Sequence, residues 1–112
     1  MRADLKMAFE AEMALARSAY AAGTLDLAFH HLERAHILGQ RHTLPHVVSH
    51  LWMLRVGLRR LDAREIAGQL LRIVAAALFS RIWVPVGNTG GANVSALRPM
   101  PVPEDLRQRL TE

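Results

Sequence analysis

The sequence predicts an all-α fold: a four-helix antiparallel bundle or stacked helical hairpins, with a Gly/Pro-rich C-terminal extension. Three observations lead there. Hydrophobic residues make up 51% of the chain but aromatic residues only 5%, and Ala, Leu and Arg supply much of the rest, a composition that favours helices over sheets. Apolar residues recur every three or four positions as far as residue 81. Gly and Pro interrupt that pattern at helix-length intervals and then crowd the segment after residue 84. With 112 residues, one domain spanning 1–112 is expected.

The first helix is expected over 3–22, where Leu5, Ala8, Phe9, Met13, Ala16 and Tyr20 keep a helical period and Lys6, Glu10 and Arg17 fall largely on the other side. Gly23 suits a helix C-terminus, and Thr24 suits the N-cap of a second helix over 25–38. The two should form a tight antiparallel hairpin. Through Tyr20, Gly23, Leu25, Ala28, Leu32 and Ala35, residues 13–38 resemble one tetratricopeptide repeat, without the further copies a solenoid needs. A third helix over 45–61 follows Gly39, with Pro45 in its first turn, Thr43 or Leu44 near the cap, and Val47, Leu51, Leu54, Leu58 and Leu61 in phase. Asp62 caps a fourth helix over 63–81, Glu65 stands at the capping-box position, and Ile66, Leu70, Ile73, Val74, Ala77 and Leu78 form the expected buried face. The loop and tail over 84–112 are too apolar for a disordered segment and should lie along the bundle, with a last helical turn or two over 104–110.

Composition excludes several classes. Without cysteine there are no disulfides and no thiolate metal sites. The N-terminus has no uninterrupted apolar run of signal-peptide type, and the longest apolar run, Ile73 to Phe79, falls far short of the ~20 residues of a membrane span. A cytoplasmic protein is expected. The net charge of +4 rests on scattered arginines. Their one cluster, Arg55, Arg59, Arg60 and Arg64, is interleaved with Asp62 and reads as a solvated helix face, so nucleic acid is not the expected partner.

All six histidines lie between His30 and His50. Glu33 and His36 are three apart on the second helix, and His36 continues the apolar stripe of Phe29 and Leu32. His46 and His50 are four apart on the third helix. Three histidines and a glutamate are thus expected to meet at the seam between the second and third helices, where imidazole and carboxylate could bind zinc, iron, copper or manganese. Glu10 or Glu12 and Glu65 are further carboxylates within reach from the other helices. The pattern is neither a di-iron bundle, which needs a second Glu-x-x-His pair, nor a zinc protease, since Val47 stands where His-Glu-x-x-His requires glutamate. His30, His31 and His42 read as surface or linker positions. The rival reading of His36, His46 and His50 is structural hydrogen bonding in the core.

Two further features bear on function. Gly87 to Ser95 is a Gly/Asn-rich loop that lacks the Gly-Lys-Ser/Thr ending of a phosphate loop, and it is read as crossing the bundle and bonding to helix ends. Glu65, Gln69 and Arg72 form a polar stripe on the fourth helix that pairs with this loop, reaches the histidine seam or is simply solvated. No motif assigns a reaction; an open coordination position near the loop would suit metal-assisted hydrolysis or oxidation. The alternative class is a non-enzymatic interaction module that binds a protein partner or a second copy of the chain without metal.

The segments 32–40, 50–59, 64–73 and 84–106, above all Gly-Asn-Thr-Gly-Gly-Ala-Asn at 87–93, resemble a bacterial family known as domain of unknown function 3703. The resemblance implies a small bacterial cytoplasmic protein and carries over no activity.

Overall fold

The computed structural model describes residues 1–111. It is all-α, with five helices: α1 (Ala3–Ala21), α2 (Leu25–Gly39), α3 (Thr43–Arg60), α4 (Ala63–Phe79) and a short α5 (Glu104–Thr111). The fifth helix modifies the four-helix expectation. Of the two architectures predicted, α1 to α4 adopt the stacked hairpins: each packs on its neighbour in sequence, and among the described residues the α4 backbone packs on α3 and not on α1 or α2.

The α1–α2 hairpin follows from its small residues. Ala16, Ala19, Ala28 and Ala35 are buried between the helices beside Phe9, Met13 and Leu32, and the absence of bulk lets the backbones approach. Gly23 makes the turn at φ +79°. Thr24 stands at the N-cap, yet its hydroxyl donates back to the Ala19 carbonyl of α1 (3.0 Å) instead of capping α2. At α3 the cap is His42, not Thr43 or Leu44. Pro45 still lies in the first turn, where no N–H is needed. Asp62 accepts the Glu65 N–H (3.1 Å), but Glu65 does not complete the box: its carboxylate accepts from Gln69 Nε2 (2.7 Å) and Ala92 N–H (2.9 Å).

The apolar periods of the third and fourth helices point the other way from the expectation. The buried side of α3 is His46, Ser49, His50, Met53, Val56 and Gly57, whereas Leu51, Leu58 and Leu61 are exposed. On α4, Gln69 and Ala76 are buried and Leu70, Val74 and Leu78 are exposed. The cause is positional. As the last helix of the stack, α4 has a neighbour on only one side, and the surface it turns to α3 is the polar one that meets the histidines.

The loop from 80 to 103 occupies the space in which α4 would meet α2 in a closed bundle. Gln40 clamps one end, donating to Pro85 O and accepting from Gly87 N–H (both 3.1 Å). Arg72 holds the other, donating to Val94 O (2.9 Å). Beyond the loop, α5 returns to the first hairpin, where Leu106 enters the core and Asp105 pairs with Arg34. Arg34 also meets Glu12 on α1 (2.8 Å). Three arginines of the cluster are engaged within the fold: Arg55 stacks on Trp52, Arg59 donates to the Tyr20 carbonyl (2.6 Å), and Arg60 pairs with Asp26. No helix of the described residues is long and apolar enough to cross a membrane.

Candidate metal centre

His36 comes from α2, and His46 and His50 come from successive turns of α3. All three are buried, and their Nε2 atoms converge on a triangle whose sides are 3.0 Å (His36–His46), 3.1 Å (His36–His50) and 3.1 Å (His46–His50). The four-residue step of α3 sets two corners one above the other, and the α2–α3 packing delivers the third.

The outer nitrogens fix what the inner ones carry. His36 Nδ1 lies 2.8 Å from the backbone carbonyl of Asn88, which can only accept, so Nδ1 bears the proton. His50 Nδ1 lies 2.6 Å from Gln69 Oε1. The Gln69 amide is oriented by its nitrogen, which donates to Glu65 and to Gly90 O (2.9 Å), so its oxygen accepts from His50. His46 Nδ1 lies 2.8 Å from Ser80 Oγ, whose own proton goes to the Ala76 carbonyl, leaving the hydroxyl oxygen to accept. The tautomers are thus assigned from the hydrogen-bond network. Each neutral ring carries its proton on Nδ1, and three Nε2 lone pairs face one another with no hydrogen between them.

Burial keeps the rings neutral. It pushes His46 down to about 4 and His50 to about 3, and it drives His36 well below the usual histidine range, with the other two rings adding to the effect. Lone pairs at such distances repel, and the hydrogen bonds of the outer nitrogens leave no ring proton between them. The group can hold a metal ion, and neutral, pre-oriented imidazoles are the form a metal binds.

The glutamates stand elsewhere. Glu33, three residues before His36, is outside the converging group. Its carboxyl is pushed up by burial and by the neighbouring Glu65. Glu12 is taken by Arg34 and His31, and Glu10 is exposed. His30 is exposed on α2, His31 is half-buried against Glu12 of α1, and His42 caps α3.

Sequence reasoning placed Gln69 near the seam as one of three options. It missed Ser80 and did not single out Asn88 or Gly90 within the loop. Asn88, almost fully buried, spends its amide on Ser95 O (2.8 Å) and Arg98 O (2.7 Å) and its side-chain oxygen on Gly90 N–H (2.9 Å), which aims its own carbonyl at His36. Gly90 packs against the His36 ring with φ +87°. The loop's N–H groups at Gly87, Gly90 and Ala92 are bonded to protein side chains, so these amides serve the fold and do not form a phosphate cradle. The signal for Asn88 and Gly90 was their place in a Gly/Asn-rich segment; Ser80, a lone serine at a helix end, had none.

A cavity of about 250 Å3 borders the triangle, lined by the three histidines, by Arg72 and by largely apolar side chains of α4 and the loop.

The fold and site define a class: a stacked-hairpin helical protein with a buried three-histidine group. The chain belongs to the family described as a protein of unknown function (DUF3703), whose model matches residues 3–110. No curated protein and no solved structure matches the chain.

Proposed function

We propose that the protein binds a divalent transition metal through His36, His46 and His50, with Glu33 outside the ligand set. The observation that carries this reading is the set of three Nδ1–H bonds to Asn88 O, Ser80 Oγ and Gln69 Oε1, which turns three lone pairs inward. Hydrogen bonding alone gives no reason to bury three acceptors face to face; a cation does. His36, His46 and His50 would hold the ion through their Nε2 atoms, and a set of three nitrogens would leave it a further coordination position beside the cavity they line. The all-imidazole donor set favours zinc, copper or iron over manganese, which prefers oxygen ligands. Such a site supplies a Lewis acid and a bound water of lowered pKa when the ion is present.

Zinc titration of chelator-treated protein against a competing chelator tests the reading. One ion per chain is expected, with affinity reduced at least about a hundredfold in His50→Ala. Protein that takes up no zinc, copper or iron, or a His50→Ala variant that binds as tightly as the parent, overturns it.

A separate observation supports association of two copies through α4. Leu70, Leu71, Val74 and Leu78 on α4 are all more than half exposed. Exposed apolar side chains grouped on one helix in this way mark an interaction surface. Sedimentation should give twice the chain mass, returning to one chain in Leu71→Glu/Leu78→Glu. A monomeric parent would overturn this.

A further inference from the structure

Building on the three-histidine metal site, we propose that the adjoining cavity takes a small carboxylate with an apolar body, the carboxylate completing the metal's coordination beside Arg72. Charge sets the first half of this specificity. Three neutral imidazoles leave the ion's two positive charges uncompensated, and the Arg72 guanidinium lies on the same cavity wall. No acidic residue lines the cavity among the described residues. Glu65, the carboxylate that acts on Arg72, already accepts from Gln69 and Ala92 N–H. Buried positive charge of this kind calls for an anion. Arg72 is held in place on that wall. Its Nη atoms are anchored on Gly68 O (3.1 Å) and Val94 O (2.9 Å), while its buried Nε makes no hydrogen bond.

The rest of the cavity sets the second half. Phe79, Ile82, Trp83, Val84 and Leu97 form apolar walls, which a compact inorganic anion would leave wet and which an aromatic or branched aliphatic body would cover. The volume is sufficient: a dry cavity of ~150 Å3 admits benzene, and the 250 Å3 here leaves room for a ring and its carboxylate. Phe79, Ile82, Trp83 and Leu97 are all well exposed, so the ligand has an entrance between them.

Benzoate is the probe, with benzylamine and toluene as the cationic and uncharged counterparts. Calorimetry on zinc-loaded protein should show benzoate binding at least about tenfold more tightly than either counterpart and than benzoate to metal-free protein. The visible spectrum of the cobalt-loaded protein should shift on adding benzoate. Trp83→Ala, at a wall residue that makes none of the histidines' hydrogen bonds, should weaken benzoate about tenfold or more without altering zinc uptake, and Arg72→Gln should weaken benzoate more than toluene. Zinc-loaded protein that ignores benzoate, or binds it equally without metal, overturns this inference and leaves the metal site standing. Failure to take up any metal overturns both.

Discussion

Replacing Gly90 by alanine puts a methyl group where the His36 ring stands. A Cβ built at this position lies 2.6 Å from His36 Cδ2 and 2.8 Å from both Cγ and Nε2, against ordinary contact at 3.4 Å or more. The ring must therefore retreat by about 0.6–0.8 Å, more than the ~0.5 Å within which a binding constellation has to be held. Alanine at φ +87° adds roughly 1 kcal/mol of backbone cost. Gly23→Ala isolates that second contribution. Its φ is +79°, but the added Cβ meets only Arg59 Nη2 at 3.5 Å, far along the fold from the histidines. Thermal melts and competitive zinc titrations of both variants separate the two effects. Each should lose several degrees of melting temperature, at about 4–8 °C per kcal/mol for a domain of this size. Only Gly90→Ala should also lose zinc affinity, by about tenfold or more. A folded Gly90→Ala protein that binds zinc like the parent, or a Gly23→Ala protein that loses affinity to the same degree, would refute the reasoning.

Other outcomes follow from the same geometry. Gln69→Leu removes the acceptor of His50 Nδ1–H, and zinc affinity should fall ~10–100-fold while the three ligands remain; an unchanged titration would count against the tautomer assignment. Leu61 ends α3 at φ +55° and is 88% exposed, so Leu61→Gly should raise stability by roughly 0.5–1 kcal/mol in urea unfolding, with a lower midpoint as the contrary result. The metal-free protein should lose stability as pH falls. His46 and His50 titrate near 4 and 3 when folded but near 6.5 when unfolded, so between those values the unfolded chain binds the protons that the folded one refuses. Stability is therefore at its plateau above about pH 6.5 and declines below it, on the order of 3 kcal/mol for His46 alone by its folded value. Glu33, raised by burial, acts in the opposite sense, but one carboxyl stands against three imidazoles. Urea midpoints at about pH 7.5 and 5.5 check the sign, and an equal or higher midpoint at the lower pH would contradict it.

The convergence of His36, His46 and His50 was legible because it depends only on helical spacing and on the hairpin that follows Gly39 and Pro45. So was the Gly23 turn, which answers to local chemistry. The inward faces of α3 and α4 were not. Their leucines outnumber His46, Ser49, His50 and Gln69, and periodicity weighs apolar side chains without knowing that a helix at the end of a stack keeps its leucines outside. Glu33 shared a helical face with His36 in projection, yet a step of three residues displaces it around the helix towards Glu65 and the loop. Ser80 and the Asn88 carbonyl act through contacts 34 and 52 residues away from their histidines, beyond what local spacing can register.

The dependence of the histidines on Asn88, Ser80 and Gln69 also fixes an order of assembly. The three histidines are all synthesised by residue 50, but the acceptors that orient them arrive with α4 and the loop. A nascent chain ending after α3 has the imidazoles without the acceptors that settle their tautomers. If the group holds an ion as proposed, firm retention would begin only once the Gly/Asn-rich segment has docked against His36, and the loop would serve as its latch.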